Sequence, residues 1–157
     1  MVENTYNVNK GQIINASRIV EGGKVLVVPF VAGPRVYATD ATQRVSLFIV
    51  KSLTETLEST ASAFEFLGGD RAHEAELIIR GRIVGVTPRK KFWQIFPSRK
   101  KFLSVEGKLQ DRKNSRDLLL FSHKIESDEA GMTLNDLGSK MGVEIAKFIL
   151  KAINQTP

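Results

Sequence analysis

The chain has 157 residues, with 23 Lys and Arg against 17 Asp and Glu for a net charge of +6, and 42% of its residues are apolar. That is about one domain's worth, large enough to hold a core without disulfides or a structural metal. It contains no cysteine, which excludes a disulfide framework, a Cys-ligated zinc or iron–sulfur site and thiol catalysis, while its apolar content is too high for a disordered tail.

Residues 1–22 are polar and Asn-rich and read as an extended leader or tether with edge-strand character, followed by a single domain over 23–157. After Gly22-Gly23, the β-branched run Lys24 to Phe30 predicts a central strand buried on both faces. Asp40 and Gln43 form a capping-box pattern. Ala41, Val45, Phe48, Ile49, Leu53 and Leu57 then recur at helical spacing for about 20 residues. A short strand follows at Phe64 to Leu67. The run Leu77 to Val86 is a longer strand, with Leu77, Ile79 and Ile83 on one face and Arg80 and Arg82 on the other.

Beyond a basic aromatic stretch, Leu103, Val105, Gly107 and Leu109 alternate with polar residues. After turn residues at 111–115, Leu118 to Ile125 returns as the hairpin partner, with Leu119, Phe121 and Ile125 inward. Thr133 with Asp136 caps a last helix whose stripe is Leu134, Leu137, Met141, Ile145, Phe148, Ile149 and Ala152. The order β-α-β-β-β-β-α predicts an α+β fold, a two-layer α/β sandwich. Two helices cover one face of a mixed sheet of about five strands and leave the other face open.

Catalytic signatures are absent from the sequence. Gly22-Gly23-Lys24 precedes a strand instead of joining a strand to a helix, so it reads as a turn and not a phosphate cradle. His73 and His123 lie in no metal-ligand spacing; the first reads as a solvated loop residue and the second as a hydrogen-bonded, semi-buried imidazole. No serine stands in a nucleophile elbow, and Glu126, Asp128 and Glu129 form an acidic loop ahead of the last helix. The chain is therefore read as non-enzymatic, with no catalytic residue, metal site or cofactor. The longest charge-free apolar stretch, Val25 to Pro34, is far short of the roughly 20 residues a membrane helix needs, and the first six residues lack the pattern of a signal peptide.

The unusual feature is local. Residues 88–113 hold nine basic and two acidic residues, a net charge of +7 that exceeds the excess of the whole chain. Two basic triplets, Arg89-Lys90-Lys91 and Arg99-Lys100-Lys101, flank Phe92-Trp93-Gln94-Ile95-Phe96-Pro97 at the tip of a long hairpin. Arg89, Lys90, Lys91, Phe92, Trp93, Ile95, Phe96, Arg99, Lys100 and Lys101 are the candidate contact residues. They suit a protein partner, a membrane surface with anionic head groups, or a nucleic acid whose phosphates the cations would neutralise and whose bases Phe92 or Trp93 would stack on; a hairpin folded over its own sheet uses the same residues.

Lys24 to Phe30 with its following amphipathic helix, Ala75-Glu-Leu-Ile-Ile-Arg-Gly-Arg-Ile83, Leu109-Gln-Asp111 before a turn, and the closing helix together form a pattern over residues 22–153. It resembles small α/β domains of bacterial outer-membrane lipoproteins related to the curli-secretion lipoprotein, to activators of penicillin-binding proteins, and to accessory lipoproteins of secretion and flagellar machines. The resemblance implies a periplasmic, non-enzymatic domain tethered to the outer membrane, a structural or accessory part of an envelope assembly with protein partners. Two departures accompany it. The lipid-bearing Cys of such proteins is absent, the polar leader would suit a tether after a removed or replaced Cys, and Asn114-Ser115 stands where a Thr-Gly turn is common. The alternative is a cytoplasmic nucleic-acid-binding module using the same basic aromatic residues.

Overall fold

The computed structural model describes residues 8–87 and 100–154. In chain order the elements are β1 (Lys10–Ile13), α1 (Ala16–Glu21), β2 (Gly23–Val27), β3 (Val31–Ala32), α2 (Asp40–Thr60), β4 (Phe64–Phe66), a 3-10 turn (Gly69–Glu74), β5 (Leu77–Val86), β6 (Lys101–Asp111), β7 (Arg116–Ser127) and α3 (Leu134–Asn154). The strands form one mixed sheet in the order β1-β7-β6-β5-β2-β4, with β3 also on β5. β2 is parallel to β4 and β5, and the β5-β6-β7-β1 half is antiparallel. The α+β class with helices layered on a mixed sheet is as read from sequence. The sheet has seven strands and not about five.

The two added strands explain the difference. Lys10–Ile13 lies inside the segment read as an extended leader with edge-strand character; it has no apolar alternation of its own and forms the edge strand paired antiparallel with β7 along Lys10↔Ser122 to Ile13↔Leu119. α1 follows with Ile19 fully buried, so from Val8 onward this segment packs on the domain. Val31–Ala32 is a two-residue strand beyond β2, which ends at Val27 and not at Phe30 because Pro29 cannot donate to a ladder. Gly22 and Gly23, at φ +70° and +128°, turn the chain from α1 into β2, where a side chain is strained.

Between the helices and the sheet lies a single main core. Val45, Ile49, Leu53 and Leu57 of α2 and Leu137, Met141, Ile145 and Ile149 of α3 meet Val25, Leu77, Ile79, Ile83, Leu103, Val105, Leu109 and Leu119. Gly142 lets α3 approach α2 so closely that a Cβ there would overlap Ser52 Oγ and the Ile49 carbonyl. The α2 stripe is rotated from the sequence reading: Ala41 and Phe48 are exposed, and Thr42 and Ser46 are buried in their place. Its cap also shifts by one residue. Thr39 Oγ1 accepts the Thr42 N–H at 3.3 Å while Thr42 Oγ1 accepts the Thr39 N–H at 2.9 Å, leaving Asp40 in the first turn to face the helix dipole. At α3 the expected box is present: the Asp136 N–H donates to Thr133 Oγ1 at 3.1 Å and the Thr133 N–H to Asp136 Oδ2 at 2.9 Å.

The face opposite the helices is only partly open. Leu67 and Ala75, flanking the 3-10 turn, cover Ile78 with Leu26 and Val28 as a small second core at the β2 end of the sheet. No helix among the described residues is long and apolar enough to cross a membrane.

Candidate partner-binding surface

The uncovered part of the sheet carries two cross-strand rows of side chains. Strand register places Arg80, Lys108, Leu120 and Gln12 in one row, and Arg82, Glu106, Ser122 and Lys10 in the other. Between them runs a third row, Gly81, Gly107, Phe121 and Gly11, whose parity directs side chains to the helix side. Three of its four members are glycine because aromatic rings lie on that side. A Cβ on Gly81 would stand 2.6 Å from Phe30 Cε2, one on Gly107 2.5 Å from Phe121 Cζ, and one on Gly11 would overlap the Phe148 ring. Phe30 and Phe121 stack with centroids 6.2 Å apart. On the outer face the middle row offers bare backbone, and a trough of about 850 Å³ opens over it, walled at one end by Val28, Pro29 and Val31.

Four cations and one anion line this trough. Arg82 pairs with Glu106, and Lys108 Nζ lies 3.3 Å from Asp117 Oδ1. Arg80 and Lys10, at opposite corners, carry no ion pair among the described residues. Two strand positions further, Lys124 lies 4.9 Å over the Phe102 ring, and its Nζ is 2.9 Å from Glu126 Oε1. Lys100 Nζ holds the other Glu126 oxygen at 2.8 Å, and these two lysines push the Glu126 carboxyl down to about 2. The basic face thus runs from the trough along the β6–β7 ribbon toward the segment that joins β5 to β6.

Of the contact residues read from sequence, Lys100 and Lys101 are described, and both are tied to their own chain, Lys101 through Nζ to the Met132 carbonyl at 2.7 Å. Arg89, Lys90, Lys91, Phe92, Trp93, Ile95, Phe96 and Arg99 lie outside the described residues. Before that segment the ribbon stays paired, with the Phe102 N–H donating to Thr87 Oγ1 at 2.6 Å and the Thr87 N–H to the Phe102 carbonyl at 3.1 Å.

His73 is exposed in the 3-10 turn. His123 is buried, as its parity implies: Nδ1 accepts the Asn9 N–H at 3.0 Å, and Nε2 faces Glu144 Oε1 at 3.4 Å. A second recess is lined by Arg18, Asp111, Arg112 and neighbours, and these three side chains bond within the fold. Arg18 Nε donates to Asp111 Oδ2 at 2.9 Å, and Arg112 Nη1 to the Ala72 carbonyl at 2.6 Å. Among the described residues no group of three or more His, Asp and Glu is placed to hold a metal ion.

No family model matches the chain, and no curated protein matches it in sequence. Among solved structures it is similar to the PelC dodecamer from Paraburkholderia phytofirmans, at 14% identity over 90% of this chain and 92% of that one, with a TM-score of 0.57. It is similar also to a protein from Xanthomonas campestris, at 11% identity over 92% and 94% with a TM-score of 0.54. Lipoprotein GNA1162 from Neisseria meningitidis aligns at 11% identity over 85% and 99%, with a TM-score of 0.51. The curli-secretion lipoprotein and the penicillin-binding-protein activators named from sequence stay a resemblance. What the comparisons establish is the architecture: this chain has a fold that also occurs in a bacterial lipoprotein.

Proposed function

We propose that the chain is a non-enzymatic accessory or structural domain of a bacterial cell-envelope assembly, a secretion-system or related outer-membrane complex. In this reading it sits on the periplasmic side of the outer membrane and binds protein partners. The contact surface is the uncovered part of the sheet together with the basic aromatic segment, where Phe92, Trp93, Ile95 and Phe96 anchor the partner and the flanking cations steer its approach. The observation that carries this reading is the trough, a preformed surface with cations and apolar groups over bare backbone and no convergent nucleophile and base. The fold shared with lipoprotein GNA1162 supports the envelope setting, and because PelC is described as a dodecamer, association of copies belongs to the same reading.

The test is photo-crosslinking in a bacterial host from a reactive residue placed at Leu120, within the trough. Adducts to an envelope protein or to a second copy are expected, and their loss is expected when Trp93 and Phe96 are both replaced by Ala with thermal stability almost unchanged. Adducts only to cytoplasmic proteins, or salt-dependent retardation of RNA or DNA on a gel, would replace this reading with the nucleic-acid one.

A further inference from the structure

We infer that the trough binds an extended, acidic segment of a partner polypeptide, laid across the strands between the two rows of side chains; this rests on the partner-binding reading above. The geometry sets the width. The flanking rows are two residues apart along each strand, about 7 Å, which admits one extended chain over the Gly81-Gly107-Phe121-Gly11 backbone. The length follows from the strands crossed. From β3, which pairs with β5, through β6 and β7 to β1 is four intervals of about 4.8 Å, or about 19 Å, the reach of about six extended residues.

The chemistry sets the ligand. Arg80 in one row and Lys10 in the other, neither in an ion pair among the described residues, present cations near opposite ends of the trough, while Arg82 and Lys108 add positive charge beside Glu106. Carboxylates near both ends of the ligand match that arrangement. Leu120 within the trough and Val28, Pro29 and Val31 at its β3 end take apolar side chains, with Val31 61% exposed in the free protein. A carboxylated glycan would leave those apolar groups uncovered. A nucleic acid would find no exposed ring to stack on, since Phe121 is the one aromatic among the described residues lining the trough and its side chain is buried on the helix side against Phe30.

The probe is a fluorescein-labelled hexapeptide Glu-Val-Glu-Leu-Asp-Glu, compared by anisotropy with its Gln/Asn counterpart on the full chain. The acidic peptide is expected to bind at least about tenfold tighter than the neutral one, and to weaken at least about fivefold between about 50 and about 300 mM salt. Arg80→Glu combined with Lys10→Glu is expected to reverse the preference toward a Lys-substituted peptide, while Lys140→Glu on α3 leaves binding as it was. Equal binding of acidic and neutral peptides, indifference to the double reversal, or tighter competition by polygalacturonate than by the peptide each overturns the inference. If the Leu120 crosslink to an envelope protein or to a second copy survives the double reversal, this inference falls and the partner-binding reading stands; if neither crosslink forms at all, the broader reading falls.

Discussion

Gly107 and Phe121 are register partners across β6 and β7, and the Phe121 ring turns back over its partner so that a Cβ on Gly107 would stand 2.5 Å from Phe121 Cζ and 2.5 Å from the Arg80 carbonyl oxygen. Gly107→Val is therefore expected to destabilise the fold by about 2–3 kcal/mol through overpacking, read as a lower urea midpoint with unchanged slope. Gly107→Ala combined with Phe121→Leu should cost less than the sum of the single changes, because the smaller side chain vacates the space the methyl group needs. Strict additivity would show that the ring and the glycine do not share that space.

Arg18 and Asp111 join α1 to the end of β6. Asp111 accepts from Arg18 Nε at 2.9 Å and, through its other oxygen, from the Lys113 N–H at 3.0 Å, with its side chain 9% exposed. Asp111→Ala removes a charge-assisted bond and leaves Arg18 half-buried without that partner, a loss of about 2 kcal/mol measured by chemical denaturation. Arg18→Met, which keeps the stem and removes the charge, should lose more than Arg18→Lys.

The carboxyls of Glu74 and Glu126 are both held down to about 2, the first chiefly by the hydrogen bond from Arg71 with Lys24 adding to it, the second by Lys100 with Lys124 adding to it. Each folded value lies below that of the unfolded chain. Whatever stability these pairs contribute is thus complete above the ordinary carboxylate range and is lost as pH falls toward 2. Carboxyl-detected NMR titration should find both groups ionised at pH 4, and Lys100→Gln together with Lys124→Gln should return Glu126 to the ordinary range while leaving Glu74 low.

His123 fixes the entry of the chain into the sheet, since its Nδ1 takes the Asn9 N–H while the Asn9 side-chain oxygen accepts the Lys124 N–H at 2.6 Å. His123→Leu is expected to speed amide exchange at Asn9 by at least about tenfold and to cost about 1–3 kcal/mol, because Glu144 is left facing an apolar group. Exchange at Leu119 and Phe121 should change far less.

Those two residues also mark what a one-dimensional reading reaches. β5 was legible from Leu77 to Val86 because apolar groups alternate there with Arg80 and Arg82, and α3 because Thr133 and Asp136 announce its cap. β1 was legible only as edge-strand character somewhere in residues 1–22: Lys-Gly-Gln-Ile has no stripe of its own, and it becomes a strand because β7 has a free edge and Gly11 leaves room for Phe148. The rotation of α2 escaped because Thr42 is buried by its hydrogen bonds and not by hydrophobicity. The cationic character near 88–113 was visible by counting. The trough was not, since it exists only once register aligns residues from four strands; glycine at inward parity on β5 and again on β6 was the trace it left in the sequence.

Gly11 under the Phe148 ring has a bearing on biosynthesis. Within this domain β1 precedes β7 and α3 in synthesis yet packs against both, and the Asn9 bond to His123 spans 114 residues. A nascent polypeptide, whether emerging from a ribosome or threaded through a translocation pore, therefore keeps β1 unpaired until β7 and α3 have followed it out, and docking of this edge strand comes late in the maturation of the domain.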